Sequence, residues 1–214
     1  MNAIDRASQD DKAALLVELQ HRVRNTLAAM RTLIRRSART SESVDAYVMH
    51  LEGRLDAMAR VQNAFVRNPT GGIDLGLLVA DELAAVDARE GERVRIDGPS
   101  VQLHPRAAEP FGLALHELAT NALKFGALSK PSGRIAVTWR IEERDGGRRL
   151  RFDWVETGVP LGDTAPAHRG FGRTVLEEML PHNLKARTTL AFTPQGLHGA
   201  IDLPLTERVL TLVR

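Results

Sequence analysis

Cysteine is missing altogether from these 214 residues. Its absence excludes disulfide bonds and thiolate metal sites, and it fits a reducing compartment. No apolar run approaches the roughly 18 residues needed to cross a bilayer. The opening "MNAIDRASQDDK" is polar and carries both charge signs, unlike a signal peptide. These absences lead to the expectation of a cytoplasmic protein without a membrane span. A large charge excess is lacking too, with 29 basic against 27 acidic side chains and a net charge of +2. Together with only 4% aromatic residues and no recognition motif, that speaks against a nucleic-acid-binding module, whose affinity rests on phosphate neutralisation. One segment lacks acids locally. From His21 to Thr40 there are six arginines and no Asp or Glu, which makes either a solvated helix face or a docking surface for something acidic.

Against these absences, 43% of the chain is hydrophobic, enough for a real core. Residues 13–37 read as one helix, because Leu16, Leu19, Val23, Leu27, Met30 and Ile34 recur at three- and four-residue steps. "TSESVD" breaks the pattern, and a second helix is predicted from about Val44 to Arg67 with near-heptad apolar spacing. Such a pair makes an antiparallel hairpin. Alone it leaves its stripe uncovered, and pairing with a second copy into a four-helix bundle is the simplest remedy. After the linker signal "RNPTGG" come a helix over about Leu75 to Glu90, a short strand in "RVRIDGP", and a long helix from about Arg106 to Gly126. "RIAVTWRIEE" and "RRLRFDWVE" alternate with period two around "RDGG", the pattern of a β-hairpin. A Gly/Pro-rich loop from Thr157 to Gly172, a helix over Thr174 to Met179 and strands near Thr188–Phe192 and Gly199–Leu203 complete the series. The expected class is α+β. A polar segment (1–12), a helical hairpin (13–68), a two-layer α/β sandwich (69–206) and a tail (207–214) follow one another.

Three dispersed clusters carry chemistry. In "HELATNALKFGALS" a helix puts Glu117, Asn121 and Lys124 on one face. A carboxylate, a carboxamide and an ammonium so placed suit a magnesium-bound polyphosphate; the same spacing also describes a solvated helix face. In "WVETGVP" the carboxylate of Glu156 stands where a strand ends and could accept a hydrogen bond from an adenine amino group, with Gly158 letting the backbone approach the ring. Trp154 there reads as core packing rather than a ligand contact. In "HRGFGRT" Gly170 and Gly172 free successive N–H groups for phosphate oxygens ahead of a helix, with Arg169 beside them as a γ-phosphate contact. His116 has three readings: orienting Glu117, acting near the phosphates, or satisfying a core hydrogen bond.

In this order the clusters resemble a sensor histidine kinase of the HWE subfamily, named for a histidine in the N box and a Trp-x-Glu in the first glycine box. Here those residues are His116, Trp154 and Glu156. "HRVRNTLA" resembles the phosphoacceptor box, "RGFG" the second glycine box and "PQGLHGAIDLPL" the closing strand. The resemblance implies a hairpin for dimerisation and phosphotransfer, followed by an ATP-binding catalytic domain of the GHKL type. By motif matching it makes His21 the phosphoacceptor, Asn121 the Mg²⁺ ligand and Glu156 the adenine contact. ATP and Mg²⁺ are then the implied cofactors, and a response-regulator receiver domain the implied partner. The rival of the same fold is a phosphotransferase or adaptor without ATP use, which would show an eroded N box.

On a helix His21 lies about 200° around from both Leu19 and Val23, so it is expected to face solvent. With an unperturbed pKa near 6.5, an exposed imidazole is a competent nucleophile at neutral pH. Glu18 and Asn25 share its face and could hydrogen-bond one ring nitrogen while the other attacks. Two departures from the family pattern stand out. Val159 replaces the second glycine of the usual Gly-Gly-Pro turn, and a β-branched residue resists positive φ. Only a short polar segment precedes the phosphoacceptor helix, so either a sensory domain is missing from this piece or a separate partner supplies the input.

Overall fold

A computed structural model describes residues 20, 23–24, 26–68, 72–144, 146–159, 170–206 and 209–210. The chain forms two compact units, Met1–Leu51 and Glu52–Arg214. In the first, residues 26–40 are helical (α1) and helix α2, Val44–Arg67, begins. Ser43 opens α2 by accepting the Ala46 N–H on its hydroxyl at 3.1 Å. Among the described residues of this unit Leu33 is buried, whereas Val23, Leu27, Ile34, Val44, Val48 and Met49 are exposed. The expected apolar stripe thus remains largely uncovered within one chain. Arg24, Arg31, Arg35 and Arg39 are exposed as well.

The second unit takes in the C-terminal part of α2, whose buried residues are Arg54, Ala57, Met58 and Val61. Its sheet has five strands in the order β2-β4-β5-β7-β6: β2 Val94–Asp97, β4 Arg134–Arg144, β5 Gly147–Thr157, β6 Arg187–Thr193 and β7 Gly196–Pro204. β2 pairs parallel with β4, and the other pairs are antiparallel. A separate two-stranded ladder joins β1 (Ile73–Asp74) to β3 (Gln102–Leu103). The β4–β5 hairpin is the one the period-two alternation predicts, closing at Arg144 opposite Gly147. Alternation decides its faces. Ile135, Val137, Trp139, Leu150, Phe152 and Trp154 are buried, whereas Arg149–Asp202 and Arg151–Asp153 pair as charged neighbours on the sheet.

Helices cover the apolar face. α4, Pro105–Lys124, starts at His104, whose Nδ1 accepts the Arg106 N–H, and Pro105 occupies the first turn where no N–H is needed. Its Phe111 meets Phe152 edge to face at 5.1 Å, and burial of rings of this kind contributes roughly 2 kcal/mol each. α3, Leu75–Ala84, is capped by Asp74, which accepts the Leu77 N–H. It ends earlier than the expected Glu90, because Asp87 turns left-handed (φ 57°) and the N–H groups of Val86 and Ala88 fold back onto Leu83. The helix expected over Thr174 to Met179 is longer, running as α5 (Phe171–Thr174), a π turn (Val175–Met179) and α6 (Leu180–Leu184). Pro181 accounts for the widened turn: its ring crowds the carbonyl four residues back and it donates no hydrogen bond there. Among the described residues, no helix is long and apolar enough to cross a membrane.

Candidate functional site

The second half of α4 is where the dispersed motifs meet. Glu156 lies near the end of β5, opposite Ile135 on one side and Leu197 on the other. Its carboxylate is 2% exposed. Oε2 accepts the Ala127 N–H just beyond α4 at 2.7 Å, and Oε1 accepts the Trp154 indole N–H at 3.0 Å. Burial pushes this carboxyl above the ordinary glutamate range, against the opposing pull of those two N–H groups. Gly126 leaves the space it needs, since a Cβ there would collide with Oε2. Gly158 has φ +76°, and a Cβ on it would come within 2.5 Å of the Ser132 carbonyl. Its role is a left-handed turn packed on the Ser132–Gly133 backbone. Val159 does not have the positive φ its place in the motif suggested; it is buried, and carries no left-handed strain.

From the other side Gly172 reaches the same helix. A Cβ at Gly172 would lie 3.1 Å from the Glu117 Cβ and 3.3 Å from both Asn121 Nδ2 and Glu117 Oε2. The glycine thus lets the second glycine box pack against the N box. Asn121 is exposed beside it, while a Cβ on Gly170 would meet nothing within 4 Å. Glu117 is buried and held by α2: Arg54 donates from Nε to Oε1 at 2.7 Å and from an Nη to Oε2 at 3.4 Å. The same guanidinium lies 3.8 Å from the centroid of the Phe171 ring, at the start of α5.

His116, one residue earlier, turns the other way. Its Nδ1 is 3.5 Å from Glu82 Oε2, and its Nε2 would sit 3.1 Å from a Cβ on Gly53. Glu82, 1% exposed, is also clasped by Arg60 through both carboxylate oxygens, at 2.8 and 2.6 Å. Burial alone would raise the Glu82 carboxyl, but the hydrogen bonds from His116 and Arg60 outweigh it and hold it below the ordinary range. Of the three readings for His116, the internal hydrogen bond fits this geometry.

Glu156 and Gly172 therefore pack against the second half of α4, which carries Glu117 and Asn121, and the turn after it, while Gly158 packs further on against Ser132–Gly133. Trp154 is core, as the alternation suggested, and its indole supports Glu156. Lys124 is exposed on the last turn of α4. Glu18, His21, Asn25 and Arg169 lie outside the described residues. Sequence reasoning missed Arg54, Arg60, Glu82 and Phe171. A signal was present: Arg54 falls in line with Leu51, Met58 and Val61, and Glu82 with Leu75, Leu78 and Val79, so each charge interrupts an apolar stripe.

The donor set suits magnesium held largely through phosphate. Among the described residues no cluster of three or more His, Asp or Glu could cage a metal. A lone exposed carboxamide next to a glycine-lined backbone is what Mg²⁺ accepts when waters and phosphates supply its other ligands.

Residues 18–100 match the sequence model of the HWE histidine kinase family. A blue-light-activated histidine kinase of Brucella anthropi is 31% identical over 202 residues, covering 94% of this chain and 41% of its own length. Its counterpart in Brucella ovis is 29% identical over 202 residues with the same coverage. The chain thus spans less than half of the relatives it matches. Among solved structures, the histidine kinase domain of the Erythrobacter litoralis EL346 blue-light-activated histidine kinase aligns with a TM-score of 0.62 at 24% identity, covering 95% of this chain and 96% of that one. The longer structure of that kinase gives 0.63 at 22% identity, covering 97% and 62%. The α+β fold is therefore that of a histidine kinase domain.

Proposed function

We propose, from its similarity over residues 18–100 to the HWE histidine kinase family and to curated histidine kinases along most of its length, that this chain is an ATP-dependent protein histidine kinase that phosphorylates itself on His21. The observation that carries this reading is the convergence on α4: Glu156 bonds to the turn that ends the helix while Gly172 packs on its Glu117–Asn121 face. An adenine-type contact and a phosphate-type backbone thus flank one helix, on the N box of this sequence.

In this reading Glu156 accepts the adenine amino group. The N–H groups at Gly170 and Gly172 face the phosphates, with Arg169 and Lys124 supplying positive charge. Asn121 holds Mg²⁺, which would neutralise charge on the polyphosphate. A neutral nitrogen of the His21 ring attacks the γ-phosphorus of ATP. A P–N bond forms, the bond to the bridging oxygen breaks, and ADP departs with the electron pair. The other ring nitrogen hydrogen-bonds to Glu18 or Asn25, as their spacing assigns. The phosphoryl group then passes to an aspartate of a response-regulator receiver domain, for which the acid-free run of arginines around α1 offers a docking surface. Uncovered apolar residues on α1 and the start of α2 support a homodimer through the hairpin, and a separate sensory partner or a further domain supplies the input. The intact N box sets this reading above the adaptor without ATP use.

The test is incubation with γ-labelled ATP and Mg²⁺. Wild type should acquire an acid-labile label, and His21→Ala should acquire none. An acid-stable label, or one that persists in His21→Ala, refutes the kinase reading. Nucleotide binding without any label would favour the adaptor.

A further inference from the structure

Arg54 is an unusual side chain to find inside a helix packed on an ATP-type domain. It is 4% exposed, yet it carries a permanent charge, and both of the contacts described above fall on glycine-box or N-box residues. One is Glu117, whose Oε2 lies 3.3 Å from the point where a side chain on Gly172 would begin. The other is Phe171, between the two glycines of "GFG" and 2% exposed. Glu117 is thus a buried carboxylate set against the very backbone that the proposed function assigns to phosphate. Left uncompensated, it would repel a polyphosphate at that position, and the repulsion would be strong because burial lowers the local dielectric.

We infer that Arg54 is a positioning residue for the polyphosphate side of the nucleotide site. It cancels the Glu117 charge and braces Phe171, so that an anion can approach the exposed Asn121 beside Gly172. The inference rests on the nucleotide-binding reading and adds to it a residue outside every family motif recognised in the sequence. It also gives the hairpin a physical route to the site. Arg54 is carried by α2, which is one continuous helix from Val44.

The experiment is a calorimetric titration of the whole chain with ATP, ADP and adenosine, each in Mg²⁺. It compares wild type with Arg54→Met, Arg54→Lys, Glu117→Gln and the Arg54→Met/Glu117→Gln double variant. Arg54→Met should bind ATP about tenfold more weakly, ADP less so, and adenosine with unchanged affinity. Arg54→Lys keeps the charge but loses the planar stack, and should limit the ATP loss to about threefold. The double variant removes both buried charges, a change that folds tolerate better than loss of one partner, and should restore ATP affinity to within about threefold of wild type. Equal losses for all three ligands would mean that Arg54 is merely structural and would overturn the inference. So would undiminished ATP binding in Arg54→Met, or failure of Glu117→Gln to rescue it. Should Arg54→Met not fold, Arg54→Lys and the double variant decide by the same comparison of ATP with adenosine. If wild type binds no ATP, the proposed function itself falls, which separates the two failures.

Discussion

Glu156 does two things with one carboxylate: it bonds the turn after α4 to β5, and it is the residue assigned to adenine. Its carboxyl is raised by burial, so the free protein holds a proton there over a range above the ordinary glutamate value of 4.5. An adenine amino group donating to it favours the ionised form and expels that proton. ATP affinity should therefore rise as pH climbs from the ordinary value through the raised one, and level off beyond. Titrations in two buffers of different ionisation enthalpy would read the proton release directly; proton uptake, or affinity that falls over that range, would contradict the assignment. At this scale the sequence was informative where backbone position decides. Glu156 stands at the end of an alternating strand, and Gly158 does turn left-handed. Val159 keeps an ordinary φ, as a β-branched residue should, so its replacement of a motif glycine brings no left-handed strain. Partners such as Arg54 remained hidden because a charge in a heptad pattern looks the same whether it meets solvent or an acid 63 residues away.

The elements that carry the site are tied together by charge as well as by apolar packing. Arg60 on α2 and His116 on α4 clasp the buried Glu82 of α3, and Gln62 donates to Glu109 of α4 at 2.7 Å. Glu82→Gln should destabilise the second unit by about 1–2 kcal/mol at neutral pH, since it strips the half-buried Arg60 of its counter-charge, a loss that solvent partly screens. The folded-state carboxyl is held below the ordinary glutamate value. Its stabilising contribution is therefore complete above that value and lost as pH falls through the depressed one. Urea melts of wild type and Glu82→Gln should differ widely at neutral pH and converge in acid. A constant difference, or none at neutral pH, would show that the clasp contributes nothing. Strands were the most legible elements, because alternation fixes both face and partner, as the β4–β5 hairpin shows. Helix ends were less so. The early stop of α3 depends on Asp87 turning left-handed, and the π turn before Pro181 on a clash that no periodicity displays.

For the whole molecule, the order of motifs was readable while their convergence had to come from the fold. Glu117 and Gly172, 55 positions apart in sequence, come together because β5 is central in the sheet and α4 crosses the face that the glycine box caps. What joins the hairpin to this assembly is α2, which contributes residues to both compact units. The central claim is that one nucleotide is held around the second half of α4 by groups from all three motifs. Amide spectra of the isotopically labelled chain, recorded as Mg·ATP is added, test it most directly. Signals of Asn121, Ala127, Trp154 and Gly170–Gly172 should shift together with a single affinity, and Glu156→Ala should weaken all of them alike. Shifts confined to one motif, shifts clustered elsewhere on the sheet, or no response at saturating nucleotide would contradict it.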